Sequence, residues 1–224
     1  GYIQPGEKGG YEYLSLAERV DTSSNIMYVY KIVIDDGIVN YLSPRTIFRY
    51  HIENDSLSSV DLGAMGIRDA NRLVAIGDKM ILADQGSGLY EFDGENVRLL
   101  PNAENLKGKF ITELLPYDTD NVLITPYGEE VFLYNMRTGE INNAFVSNSL
   151  NTKFAEEGVY AATMISDSQY AISTTIGGVS IVDHNGELVQ YLNVSNNSLM
   201  DNSGCAIYCD YANESELWVA TYGY

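Results

Sequence analysis

A repeat of some forty residues, strand signals at every step of it, and 18 tyrosines in 224 residues predict an all-β chain: a β-propeller of four-stranded antiparallel blades. Four segments carry the repeat: YLSPRTIFRY from Tyr41, ILADQGSGLYEF from Ile81, VLITPYGEEVFLY from Val122 and AISTTIGGVSIV from Ala171. Each is an apolar strand, a short turn that usually holds Gly, and a second apolar strand. The first apolar residues after these turns, Ile47, Leu89, Val131 and Val179, are spaced by 42, 42 and 48 residues. Some helical repeats have similar periods, but no window holds an apolar stripe at 3.6-residue spacing. Aromatic and β-branched residues suit half-buried pleated surfaces, which strengthens the strand reading.

Taken in order, residues 1–3 and 11–16 read as the last two strands of a preceding blade, so that 1–16 is a half blade. Complete blades follow at about 26–62, 70–101, 109–146 and 157–192, and 204–224 reads as the first two strands of another. In the last complete unit the strands are Gly158–Ile165, Gln169–Thr174, Gly178–Asp183 and Glu187–Leu192. DHNG at Asp183–Gly186 turns its outer hairpin, since Asn-Gly accepts the positive φ that a tight turn needs. FDGEN at Phe92–Asn96 and NMRTGE at Asn135–Glu140 serve the same purpose. Polar loops join the units, among them SNSLNTK after Val146 and NVSNNSLMDNSG after Leu192. The whole reads as one continuous array and as a fragment of a larger propeller.

The net charge is −18, from 13 Lys and Arg against 31 Asp and Glu. Such a chain repels nucleic acid, whose affinity depends on basic residues displacing counterions, and it repels anionic membranes for the same reason. The acidity serves solubility. No D-x-D-x-D-G loop marks a calcium site, and neither metal nor cofactor is expected. No apolar run approaches the ~18 residues of a membrane span and no signal peptide is visible, so membrane attachment is expected only through segments outside this sequence. Cys205 and Cys209, placed on one strand, would stand about 13 Å apart at roughly 3.3 Å per residue, beyond disulfide reach. They read as small buried hydrophobes.

Catalytic chemistry has little to stand on. His51, at a strand end, and His184, in a hairpin turn, read as solvated turn residues. No nucleophile elbow, zinc, redox or phosphate-loop motif occurs. The Gly-bearing turns precede strands, so they offer no helix N-terminus to an anion. Adjacent carboxylates such as Glu129–Glu130 and Glu156–Glu157 would point to opposite faces of a strand. The segment is therefore expected not to be an enzyme.

Ligand recognition has more support. With the first strand of each blade innermost, the turns between second and third strands open on the same face as the loops between blades. Those turns carry Pro44, Arg45, Asp84, Gln85, Tyr127, Thr175 and Tyr222, and the loops carry Asn148, Asn151, Asn196, Asn197 and Asn202. Asn, Gln and Tyr supply donors, acceptors and an aromatic face, a combination suited to carbohydrate or another polar ligand. The candidate binding set is Arg45, Asp84, Gln85, Tyr127, Thr175, Tyr222, Asn151 and Asn202.

The stretch SLMDNSGCAIYCDYANESELWVATYGY, from Ser198, resembles the repeat of two-component regulator propellers. Leu199, Asn202, Ile207, Asp210, Leu217, Trp218 and Thr221 fall on the marked positions of that repeat. TTIGGVSIV at 174–182 and ADQGSGLYEFDG at 83–94 match its second half. The opening GYIQPGEKGGYEYLSLAERV, followed by YVYKIVIDDGIVNYLSPRTIFRYH, resembles a blade junction in sensors that also carry a triple-tyrosine domain. The resemblance implies the periplasmic part of an inner-membrane receptor with a histidine kinase, hybrid or cyclase output. It also implies a small-molecule or oligosaccharide ligand and homodimerisation through the full receptor. A protein-interaction scaffold is the competing expectation, and a glycan-active hydrolase or lyase the third.

Overall fold

The computed structural model describes residues 1–6, 9–20, 28–209 and 216–223. The expected blade start near 26 and the repeat position Asp210 lie outside the described residues. A hairpin of β1 (Tyr2–Pro5) and β2 (Tyr11–Leu14) comes first. Four four-stranded antiparallel sheets follow. Blade 1 is β3 (Lys31–Asp35), β4 (Ile38–Ser43), β5 (Thr46–His51) and β6 (Ser56–Asp61); blade 2 is β7 (Ala70–Ile76), β8 (Lys79–Asp84), β9 (Gly88–Phe92) and β10 (Val97–Leu99). Blade 3 is β11 (Ile111–Pro116), β12 (Asn121–Pro126), β13 (Phe132–Asn135) and β14 (Ile141–Asn142). Blade 4 is β15 (Val159–Ser166), β16 (Gln169–Thr174), β17 (Gly178–Asp183) and β18 (Leu188–Leu192), and the two-stranded β19 (Gly204–Cys209) and β20 (Leu217–Thr221) close the described chain. Each sheet runs in sequence order, and the first strands β3, β7, β11, β15 and β19 are successive neighbours around the axis.

The core lies between blades rather than inside any one of them. Leu42, Ile47, Leu73, Met80 and Leu82 fill the space between blades 1 and 2. Ile81, Ala83, Leu114, Val122 and Ile124 do so between blades 2 and 3, and Leu123, Leu133, Ala162, Tyr170 and Ile172 between blades 3 and 4. Alternate residues of one second strand thus face opposite neighbours: Met80 and Leu82 one way, Ile81 and Ala83 the other. That is why second strands read as unbroken apolar runs, while the outermost β6 and β18 are mostly exposed. Polar bolts cross the same seams. Arg49 Nη1 donates to Gly94 O at 2.8 Å with its guanidinium over Phe92, and the Tyr170 hydroxyl donates to Pro116 O at 3.0 Å.

One element departs from the sequence expectation. The stretch read as the polar loop SNSLNTK holds a helix, α1 (Asn148–Glu157). Ser147 Oγ accepts from Leu150 N at 3.4 Å to cap its start, Gly158 ends it at φ 69°, and Leu150 and Phe154 turn inward. Two apolar residues four apart make too narrow a stripe to stand out among eight polar or small ones. The helix also accounts for the longer interval between the third and fourth repeats.

The hairpin turns follow the predicted chemistry with one physical device, a side-chain oxygen accepting backbone N–H groups just ahead. Asp93 Oδ1 accepts from Glu95 N and Asn96 N at 2.9 and 2.7 Å; Asp183 Oδ1 accepts from Asn185 N and Glu187 N at 2.8 and 2.9 Å. The N–H groups of Asn96 and Glu95 hold the Asp93 carboxyl below its ordinary value of 3.8. At Asp118 burial works the other way, yet donors from Asn121 and Asp120 prevail and its carboxyl is also lowered. A carboxyl lowered by folding contributes stability above its unfolded pKa and loses that contribution as pH falls through the folded value. The urea midpoint is therefore expected to hold down to about pH 5 and to drop as pH falls from there through and below 3.8, and to drop less in Asp93→Asn, which keeps the acceptor without the charge. Equal drops in the two proteins would remove Asp93 from this account.

Candidate functional site

In blades 2, 3 and 4 and in the β19–β20 pair, the first residue of the inner strand pairs with the last residue of the second strand: Ala70 with Asp84, Ile111 with Pro126, Val159 with Thr174 and Gly204 with Thr221. The turns and inter-blade loops therefore open on one face, as the sequence predicts. One backbone bond repeats there. Gln85 N donates to Asp69 O, Tyr127 N to Phe110 O, Thr175 N to Gly158 O and Tyr222 N to Ser203 O, all within 2.8–3.2 Å. Gln85, Tyr127, Thr175 and Tyr222 are thus equivalent positions, one per blade, around the axial mouth. Tyr127 and Tyr222 are exposed, while Gln85 and Thr175 are half-buried. Arg45 lies exposed in the corresponding turn of blade 1, its carbonyl accepting from Gly63 N.

The remaining predicted residues are engaged by the loops themselves. Asp84 is buried, and its carboxylate accepts from Arg68 N and Asp69 N at 3.2 and 2.7 Å and from the Ser87 hydroxyl. Asn151 points inward from α1. Its Oδ1 accepts from Val131 N at 2.7 Å, and its Nδ2 donates to Val131 O and Asn143 O, both at 3.0 Å. These two side chains face the fold and not a ligand, because the backbone they satisfy would otherwise be orphaned. Asn202 is half-buried with Oδ1 accepting from Val194 N at 2.8 Å, and the Thr175 hydroxyl donates to Glu157 O at 2.5 Å.

The feature that sequence reasoning missed lies one step inward. In blades 2, 3 and 4 and in the β19–β20 pair, the register slips at the second residue of the inner strand, leaving Asn71, Thr112, Tyr160 and Cys205 as bulged residues. A bulge bends a strand and re-aims its side chains, and four in equivalent places shape a common mouth. Below it is a cavity of about 290 Å³ lined by Arg72, Phe110, Glu113, Tyr160, Cys205 and the small residues around them. Phe110 and Tyr160 are exposed to it, and Phe110 meets Tyr127 edge-on at 6.3 Å. Lys31 Nζ reaches from β3 past blade 2 to Glu113 Oε2 at 2.8 Å, an ion pair between alternate blades. Arg72 donates through Nε to Thr112 O and through Nη1 to Asn71 O at 2.7 Å. The available signal was a charged residue at the same register of two successive inner strands, ANRLVAI and ITELLP, where an apolar residue would pack.

A wider hollow of about 640 Å³ runs along β13 and β14, but it is built by blade 3 and its following loop alone. Its amides bond one another, Asn135 Nδ2 to Asn121 Oδ1 at 3.1 Å, whereas the axial cavity gathers polar and aromatic groups from several blades. On the opposite face His184 is not a solvated turn residue. Its ring stacks on Tyr117 at 4.2 Å and 5°, with Nδ1 buried and without a hydrogen-bond partner among the described residues. His51 ends β5, half-buried, on that same face, away from the mouth. Cys205 and Cys209 both lie on β19; the second is buried as expected, whereas Cys205 is only half-buried, at the wall of the axial cavity.

No protein-family model and no curated protein matches the chain. Among solved structures it is similar to the WD40 β-propeller domain of Doa1, with a TM-score of 0.63 and 16% identity over 86% of this chain and 60% of that one. It is also similar to the extracellular domain of the hybrid two-component system BT4673 from B. thetaiotaomicron, with a TM-score of 0.62 and 18% identity, covering 85% of this chain and 25% of that one. The extracellular domain of the hybrid system BT3049 from the same organism gives 0.59 and 15% over 87% and 27%. The chain thus spans about a quarter of these extracellular domains. At such identities the likeness establishes a shared propeller fold.

Proposed function

We propose that this propeller segment belongs to the extracytoplasmic, ligand-sensing part of a bacterial receptor of two-component type, and that its axial mouth receives an oligosaccharide. The observation that carries this reading is the convergence of equivalent rim residues and bulged inner strands on one open cavity, with Phe110, Tyr127 and Tyr160 beside it. Aromatic faces stack on the C–H faces of sugar rings, and phenol and amide groups bond their hydroxyls. The likeness to extracellular domains of two-component systems supports the setting. In the full receptor, occupancy or propeller-mediated dimerisation would shift a downstream membrane helix, with no catalytic step in this segment.

A thermal-shift screen of the chain against a panel of glycans tests the proposal. A ligand at a hundred times its Kd is expected to stabilise by about 2.7 kcal/mol, and Phe110→Ala and Tyr127→Ala are expected to diminish that gain. A panel-wide null would end the sensing reading. It would leave the interaction scaffold, which the WD40 likeness and the exposed Tyr127 and Tyr222 favour.

A further inference from the structure

We infer that the axial cavity holds a carboxylate subsite built on Arg72; the inference rests on the ligand-binding reading above and names the chemistry that site selects. The chain carries a net charge of −18, and half of its twelve described basic residues find acidic partners. Arg19, Lys31, Arg98, Lys109, Arg137 and Lys153 each pair with a carboxylate. Arg72 does not pair with one among the described residues. It is held by two backbone carbonyls instead, Thr112 O of the next blade and Asn71 O of its own. Of the five N–H groups of a guanidinium, those bonds engage one on Nε and one on Nη1. One on Nη1 and both on Nη2 are left, and the end-on pair from the two terminal nitrogens matches the two oxygens of a carboxylate.

The surroundings point the same way. Arg72 is half-buried at the wall of the cavity, where a cation is costly without a counter-charge. The carboxylate of the same wall, Glu113, is already neutralised by Lys31 at 2.8 Å, so Arg72 leaves the cavity with a positive excess. Phe110 and Tyr160 offer ring faces beside it. At about 290 Å³ the space sits at the small end of ligand pockets, room for one ring and its substituents rather than a chain. A charged group fixed by an anchored guanidinium with an aromatic platform alongside fits a uronic acid residue of an oligosaccharide.

Calorimetric titration of the chain with galacturonate and glucuronate oligomers, their neutral counterparts, and citrate as a ring-free carboxylate tests this. The uronic oligomers are expected to bind best, and Arg72→Gln to weaken them by more than about tenfold, with a clearly smaller loss for neutral sugars. Arg72→Lys, which keeps the charge but not the fork, is expected to recover only part of the loss and guards against a folding defect in the first variant. Equal binding of uronic and neutral oligomers, or uronic binding unchanged in both variants, would overturn the subsite while leaving oligosaccharide sensing standing. Citrate binding as tight as the oligomers would overturn the assignment to a sugar acid. Silence from every sugar and from citrate would overturn both readings together.

Discussion

Asn151→Leu is expected to lower the stability of the chain by roughly 3–5 kcal/mol, the largest loss from any single polar side chain described here. Asn151 is 2% exposed and joins three backbone groups: Val131 N, Val131 O and Asn143 O. Val131 lies in the turn before β13, and Asn143 just past β14, so one amide from α1 holds both ends of the outer hairpin of blade 3. Leucine matches the amide in volume but satisfies none of these groups. Each buried orphan costs about 1–3 kcal/mol, and no water reaches a site this closed without rearrangement. Urea unfolding of the wild type and the variant measures the difference. A loss below about 1 kcal/mol would mean that α1 can lift away and admit solvent, and that the helix is an accessory to the blade rather than its clamp.

Gly186→Ala is the second, and its comparison with Gly128→Ala separates two costs that one variant would confound. Both glycines have positive φ, +78° and +69°, so both alanines carry the backbone penalty of roughly 1 kcal/mol. Around Gly128 an added Cβ meets nothing within 4 Å, and that penalty is the whole expected effect. At Gly186 the added carbon would stand 1.7 Å from Phe145 O. The outer hairpin of blade 4 would have to withdraw from the loop before α1, and Phe145 would lose its edge contact with Tyr170, whose ring centroid is 6.0 Å away. A loss of more than about 3 kcal/mol is expected for Gly186→Ala in the same urea assay. Equal losses at the two positions would show that the seam between blades 3 and 4 yields easily.

Much of the architecture was present in the chain as a pattern. The strands of blade 4 begin and end within a residue or two of where the repeat places them, and β16 and β17 coincide with the expected Gln169–Thr174 and Gly178–Asp183. The reason is local: a strand buried on both faces needs an unbroken apolar run, and a hairpin needs Asp, Asn or Gly at its corner. The rim was legible too, since the alternation of turns and loops decides which residues share a face. α1 was not, because its two inward residues, Leu150 and Phe154, become a signal only once blades 3 and 4 stand ready to receive them.

The repeat by itself determined the all-β class, the blade order and the face on which the loops open. Only the tertiary structure decided which polar side chains on that face remain free. Asp84 and Tyr127 occupy comparable turns, yet one carboxylate is consumed by its own loop and the other ring stands at the mouth. The partners that settle such questions are remote: Asn151 meets Val131 across 20 residues, Arg72 meets Thr112 across 40, and Lys31 meets Glu113 across 82. Strand pattern is a property of neighbouring residues and survives in any linear reading. Hydrogen-bond and charge satisfaction across an axis is a property of blades brought together, and it exists only once the array has curved.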